Sequence, residues 1–289
     1  SIPMILLIGW RGEPGTRDEP QHKKQGEIQE DILNVLGISY EIISKNESEY
    51  EPQVLNAIEM VKRDCKPFAL LFRKNTFSIY NPTKQNFHNS LPKREKVLEH
   101  ILEHTSEEDI VVSTTGKTSR EIFEIRSRRG ERHVKDFLTV GSMGHCSSIA
   151  LGLALSNKNK RVICIDGDGA FLMHMGVIST VSQIKPVNFV HILLNNFVHE
   201  SVGGQETSSK FIDIPSLIES SGYKSIFQLN SIENLNNQLK GIINSEGPVF
   251  LEIQTSAGSR KDLGRPTIEP SDNKKDFMNF IQRSKTETI

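Results

Sequence analysis

Short apolar runs alternate with longer amphipathic stretches along almost the whole chain. Runs at 4–8, 40–43, 68–72, 110–113, 161–165, 189–194, 225–228 and 249–254 read as strands. Several are near-continuous Val, Ile, Leu and Phe with no polar alternation, the pattern of parallel strands covered by helices on both faces. Between them, residues 25–36, 51–64, 93–104, 119–129, 147–156, 170–184, 214–221 and 232–244 carry apolar positions at helical spacing. Regular strand–helix alternation predicts an α/β fold with parallel sheets flanked by helices. No internal repeat or low-complexity tract interrupts it.

Residues 74–92 break the pattern. They are polar, contain Pro82 and Pro92 and lack a period, which is linker chemistry. The expected organisation is an N-terminal piece over 1–73, a linker over 74–92 and a larger domain over 93–289. Three strands are marginal for an independent doubly wound domain, and the first begins almost at residue 1, which is Ser. The sequence is therefore expected to be the back part of a longer protein.

Composition narrows the function classes. Thirty-five Lys and Arg against 36 Asp and Glu leave a net charge of −1, so no global electrostatic case exists for nucleic acid or an anionic membrane as partner. No apolar run approaches the ~18 residues of a membrane span, and no basic segment precedes the apolar residues 3–8 as in a signal peptide. Cys65, Cys146 and Cys164 are scattered and form no C-x-x-C, which points to a reduced, cytoplasmic setting.

The sharpest chemistry lies at 166–170 (DGDGA), where an apolar strand ends and a helical segment opens. Ligands of open parallel sheets bind beyond the carboxyl ends of strands, and free amides at a helix start suit phosphate. Twenty-five residues separate Gly169 from Asn195-Asn196, again at the carboxyl end of an apolar strand. That spacing accommodates a helix and the next parallel strand, so Asp168 and Asn196 can face one another at one sheet edge. A carboxylate and an amide oxygen, with diphosphate oxygens, would complete an octahedron for Mg²⁺.

Three rival motifs fail. A dinucleotide fingerprint would need glycine at 172, where Leu172 stands; a P-loop over 113–119 would need glycine at 111, where Val111 stands. The H-x-x-E-H pattern of His100, Glu103 and His104 sits among charged residues and reads as a solvated helix face instead of a zinc site.

The spacing of Gly167-Asp168-Gly169 and Asn195-Asn196 resembles the signature of thiamine-diphosphate-dependent enzymes. Segments 9–15 (GWRGEPG), 18–22 (DEPQH), 113–121 (STTGKTSRE), 141–145 (GSMGH), 199–205 (HESVGGQ) and 260–266 (RKDLGRP) are similar to the phosphonopyruvate decarboxylase branch, to which sulfopyruvate decarboxylase is a close relative. The resemblance implies a complete diphosphate-binding domain preceded by the C-terminal part of a pyrimidine-binding domain. It implies thiamine diphosphate and Mg²⁺ as cofactors, with Asp168, Asn196 and the carbonyl of Val198 as metal ligands. Gly167, Gly169 and Ala170 would border the diphosphate, and Thr115 and Gly116 would lie along the cofactor. Gly141, Ser142 and Met143 would meet the aminopyrimidine, Met143 being the bulky residue that bends the cofactor into a V.

The implied reaction is decarboxylation of a small 2-oxo acid with an anionic β-substituent, in a homo-oligomer with active sites between subunits. His22, His199 and Glu200 are the acid–base candidates, and Arg11, Arg260 and Arg265 the candidates for a phosphonate. The family's activating glutamate lies upstream of the opening strand and has no counterpart here. It is expected from missing N-terminal sequence or a separate subunit, and the alternative reading is a chain that binds cofactor but relies on a partner for that glutamate.

Overall fold

The computed structural model describes residues 2–78 and 90–286, which belong to two compact units, 1–84 and 85–289. In the first unit, β1 (Ile5–Gly9) leads to α1 (Pro20–Glu27), α2 (Gln29–Val35), β2 (Ser39–Ile42), α3 (Glu47–Asp64) and β3 (Phe68–Phe72). The strands form a parallel sheet in the order β1-β3-β2. Because β3 is central, its side chains are buried alternately on two faces. Phe68 and Leu70 pack with Ala57 of α3, and Ala69 and Leu71 with Trp10 and Leu33.

The second unit runs α4 (Arg94–Glu103), β4 (Ile110–Ser113), α5 (Lys117–Arg128), β5 (Asp136–Leu138), α6 (Cys146–Ser156), β6 (Val162–Gly167), α7 (Asp168–Met173), α8 (Val177–Ile184) and β7 (Phe189–Asn195). A two-residue hairpin, β8 (Val198–His199) with β9 (Gln205–Glu206), and a 3₁₀ turn at Ser208–Phe211 come next. The chain closes with α9 (Ile214–Ser221), β10 (Ser225–Leu229), α10 (Ile232–Ile243), β11 (Val249–Gln254) and α11 (Pro270–Thr286).

Six strands make one parallel sheet in the order β10-β11-β7-β6-β4-β5. Helices cover both faces: Ile163 and Ile165 of β6 pack toward α4, α5 and α10, while Val162 and Cys164 pack toward α6, α8, α9 and α11. The expected α/β class with helix-flanked parallel sheets is what forms. Three local expectations change. Residues 25–36 become two helices that begin earlier, at Pro20, because proline suits a first helical turn. The single helix expected over 170–184 is broken between Met173 and Val177, where Gly176 caps the second segment. The short strand β5 was not anticipated, since its Asp136 is buried against Arg126 and disguises the apolar run.

Candidate cofactor and metal site

Strands β6 and β7 lie side by side with Gly167 opposite Leu194. The residues that follow, Asp168 and Asn195-Asn196, therefore emerge as neighbours beyond one sheet edge. On its other side β6 pairs with β4. The chain leaves β4 toward β5 and leaves β6 toward β7, so the crevice between β4 and β6 is the switch point at which open α/β sheets bind ligands.

Asp168 is buried, and its Oδ2 accepts from the hydroxyls of Thr207 at 2.5 Å and Ser209 at 3.1 Å. Those hydroxyls are 2.6 Å apart, and Ser209 Oγ also lies 3.0 Å from Asn195 Oδ1, so its one proton is shared between the Asp168 and Asn195 oxygens. Burial pushes the Asp168 carboxyl up, with the two hydroxyls pulling the other way. A buried carboxylate in this state gains from a cation.

Asn196 Nδ2 donates to Glu200 Oε2 at 3.0 Å, and its Oδ1 accepts from the Val198 amide at 3.2 Å. Phe197 between them holds φ at 62°, a left-handed conformation uncommon outside glycine. Glu200 is gripped from two more directions. Lys117 donates to its Oε1 at 2.8 Å and Arg94 to its Oε2 at 2.6 Å, while the other edge of the Arg94 guanidinium forks onto Glu121 at 2.7 and 2.9 Å. Burial works to raise the Glu200 carboxyl, but the charges of Arg94 and Lys117 outweigh it and hold the group below its ordinary value. Glu200 thus receives donors from Lys117, Arg94 and Asn196.

Gly169 lies against the His199 ring: a Cβ there would come 2.6 Å from His199 Nδ1, so the ring would have to move. Across the crevice, Gly141, Ser142 and Gly144 hold φ values of 71°, 45° and 88°, a turn that depends on its glycines. The Gly141 amide donates to Thr115 Oγ1 at 3.1 Å, tying that turn to the end of β4.

Of the residues expected from the sequence, Thr115, Met143, Gly167, Asp168, Gly169, Ala170, Asn196, Val198, His199 and Glu200 line one pocket of about 110 Å³. Gly116, Gly141 and Ser142 sit in its flanking turns and off its wall. Arg260 is also off that wall, with its guanidinium on Glu95, Glu124 and Asp262, and Arg265 is exposed elsewhere in this unit. In the first unit, Arg11 forks onto Asp18 at 2.9 and 2.6 Å, and His22 Nδ1 meets the same carboxylate at 2.9 Å. The residues that hold the site in shape, Thr207, Ser209, Arg94, Lys117 and Glu121, were not anticipated. The pocket's donors are hard oxygens: a carboxylate, a side-chain amide and a backbone carbonyl, a set that fits Mg²⁺. Among the described residues, the cluster dense enough in metal-type side chains to hold an ion is Cys146, Cys164 and Asp166 in the core, and the His100–His104 pattern gathers none.

Residues 114–253 match the family described as thiamine pyrophosphate enzyme, C-terminal TPP binding domain. The chain is 30% identical over 295 residues to phosphonopyruvate decarboxylase of Streptomyces viridochromogenes, covering 97% of this chain and 73% of that one. It is equally similar to the phosphonopyruvate decarboxylase of Streptomyces hygroscopicus, over 96% of this chain and 72% of that one. Sulfopyruvate decarboxylase subunit beta of Methanocaldococcus jannaschii is 33% identical over 194 residues, 67% of this chain and 99% of its own. Among solved structures, benzoylformate decarboxylase from Polynucleobacter necessarius superposes with a TM-score of 0.49 at 18% identity, over 67% of this chain and 38% of that one.

Proposed function

The chain belongs to the phosphonopyruvate decarboxylase family of thiamine-diphosphate enzymes, and from that premise we propose that it cleaves 3-phosphonopyruvate into phosphonoacetaldehyde and CO₂. The observation that carries this reading is the convergence of Asp168 and Asn196, from the ends of adjacent strands, in one pocket beside Gly169.

In this reading Asp168, Asn196 and the Val198 carbonyl hold Mg²⁺, and the amides of Gly169 and Ala170 receive the diphosphate. Thr207 and Ser209 keep the Asp168 carboxylate aimed. Thiamine diphosphate, when bound, supplies an electron sink for the pair left behind as the carboxylate departs. Losing that carboxylate as neutral CO₂ removes a charge, a step that the apolar part of the pocket wall, with Met143, Leu194 and Val198, favours. In this reading His199, which lies beside Gly169 at the pocket, moves the proton that replaces the lost carboxylate. Residues 93–289 act as the diphosphate-binding domain and 1–73 as the C-terminal part of a pyrimidine-binding domain, in support of which the matched family segment 114–253 lies within the second unit. Two further elements of the reading rest on the resemblance and on cysteine usage: a homo-oligomer with active sites between subunits, and a cytoplasmic location.

The similarity to sulfopyruvate decarboxylase subunits favours a second reading, the same chemistry on sulfopyruvate. One experiment separates the two: the chain, together with the N-terminal sequence or partner subunit that supplies the activating glutamate, is given Mg²⁺ and thiamine diphosphate and assayed for CO₂ release from both acids. Faster release from phosphonopyruvate is expected, and faster release from sulfopyruvate selects the alternative. Asp168→Ala is expected to abolish Mg²⁺-dependent cofactor binding in calorimetry; unchanged affinity would remove the site from consideration.

A further inference from the structure

An asparagine that must present its oxygen to a metal has a problem that aspartate does not have. Its amide has two ends of nearly identical shape, and a half-turn puts the NH₂ where the oxygen should be. Asn196 is buried at the pocket wall, so something other than water must choose the end.

A carboxylate on one end of the amide and a backbone N–H on the other make the choice together. Glu200 Oε2 lies 3.0 Å from Asn196 Nδ2, and an ionised carboxylate only accepts hydrogen bonds. It therefore draws the NH₂ to itself and rejects the oxygen. Asn196 Oδ1 is left on the side where the Val198 amide donates to it, next to the carbonyl-bearing backbone expected to share the metal. Glu200 can do this only if it is itself fixed. Lys117 and Arg94 fix it, each with a direct hydrogen bond to one of its oxygens. Arg94 is fixed in turn by its fork onto Glu121, and both of those side chains are almost wholly buried. The four groups alternate in sign, two cations against two anions, so the network carries no net charge into the interior.

We propose that Glu200, clamped between Arg94 and Lys117, is a positioning residue that sets the orientation of the Asn196 amide and thereby presents its oxygen to the divalent metal. This rests on the reading of Asp168 and Asn196 as metal ligands. It assigns Glu200 a task different from acid–base catalysis, and it gives Arg94, 102 positions earlier in the chain than Asn196, a place in the metal site.

Glu200→Gln in the full 289-residue chain tests it, read by calorimetric titration of Mg²⁺ in the presence of thiamine diphosphate. The glutamine keeps the size of the side chain but has one acceptor oxygen where glutamate has two, so Arg94, Lys117 and Asn196 compete for it and Asn196 is no longer held reliably to an acceptor. The expected result is a 10–100-fold loss of Mg²⁺ affinity, the range found when a partner behind a metal ligand is removed. The decisive step is rescue. Asn196→Asp replaces the amide by a carboxylate, whose two ends are both oxygen and need no orienting, and the glutamine introduced at position 200 can donate to it. Asn196→Asp combined with Glu200→Gln is expected to return Mg²⁺ affinity to within a few-fold of the parent, whereas Asn196→Asp alone sets two carboxylates together and binds worse than the double variant. Parent-like affinity in Glu200→Gln overturns the proposal, all the more if turnover collapses, because that is the signature of a proton-transfer group. A loss that Asn196→Asp does not repair also overturns it, since general loosening of the pocket would then be the cause. Should the parent chain bind no Mg²⁺ with thiamine diphosphate, the reading of the site fails, and the inference with it.

Discussion

Asp18 and Asp168 are both largely withdrawn from water, yet their surroundings act on them in opposite directions. Asp18 is met first by the Arg11 fork, then by the His22 ring and by the amides of Gly12 and Glu19, and these donors hold its carboxyl far below the ordinary range. Among the described residues Asp168 meets two hydroxyls and no cationic side chain, and burial takes its carboxyl up. The consequence for Asp18 can be measured. A carboxyl depressed in the folded state contributes stability that is present above its unfolded value of about 3.9 and is lost as pH falls through the folded one. Arg11→Ala is expected to move the Asp18 midpoint upward toward that value in a carboxyl-carbon NMR titration, and to bring the acid limb of the stability profile to higher pH. A midpoint that stays where it was would assign the depression to His22 and the backbone amides instead.

At the scale of elements, the site depends on how closely α7 and the segment after β7 approach. Gly169, the second residue of α7, leaves space that the His199 ring fills, and a methyl group there would sit 2.6 Å from Nδ1. Alanine is the better helix former by about 1 kcal/mol, so Gly169→Ala should leave the helix and the melting temperature nearly intact while pushing His199 aside. The expected outcome is loss of cofactor binding without loss of fold, read by calorimetry and thermal melting side by side; a variant that still binds would show that the 199–205 loop yields freely. This contact also marks where reading the chain as a string reaches its limit. The strand ends carrying Asp168 and Asn196 are legible because strand–helix–strand units have a fixed length and adjacent parallel strands open at one edge. The eight strands anticipated are found within a residue or two, because unbroken apolar runs have few other uses in a chain of this charge. Thr207, Ser209 and Arg94 were invisible for the converse reason. Thr207 and Ser209 reach Asp168 from a turn 39 and 41 positions further on, and Arg94 reaches Glu200 from a helix 106 positions before it. Nothing in their local spacing distinguishes them from surface hydroxyls and a surface arginine. The strand β5 was hidden by its partner Arg126 in the same way, whereas the break in 170–184 comes from Gly176 within the segment itself.

Every side chain lining the pocket belongs to the second unit, and so do both apolar layers that cover its six-stranded sheet. Burial on two faces is what a parallel sheet requires, and this unit obtains it from its own helices. The methanocaldococcal subunit beta points the same way: 99% of that polypeptide corresponds to 194 residues of this chain, so a chain of about this unit's size exists as a separate subunit elsewhere. A fragment comprising residues 90–289 is therefore expected to fold alone with a single cooperative thermal transition. Since Asp168, Asn196 and the Gly169 turn all lie within it, Mg²⁺ with inorganic pyrophosphate should stabilise it. At a hundred times the dissociation constant the gain is about 2.7 kcal/mol, which for a unit of this size moves the transition by roughly 5–10 °C. The Asp168→Ala version of the fragment should melt as cooperatively and show no such shift. A broad, non-cooperative transition would mean that the first unit completes the core. A sharp transition indifferent to Mg²⁺ and pyrophosphate would mean that these strand ends do not by themselves make the anion and metal site.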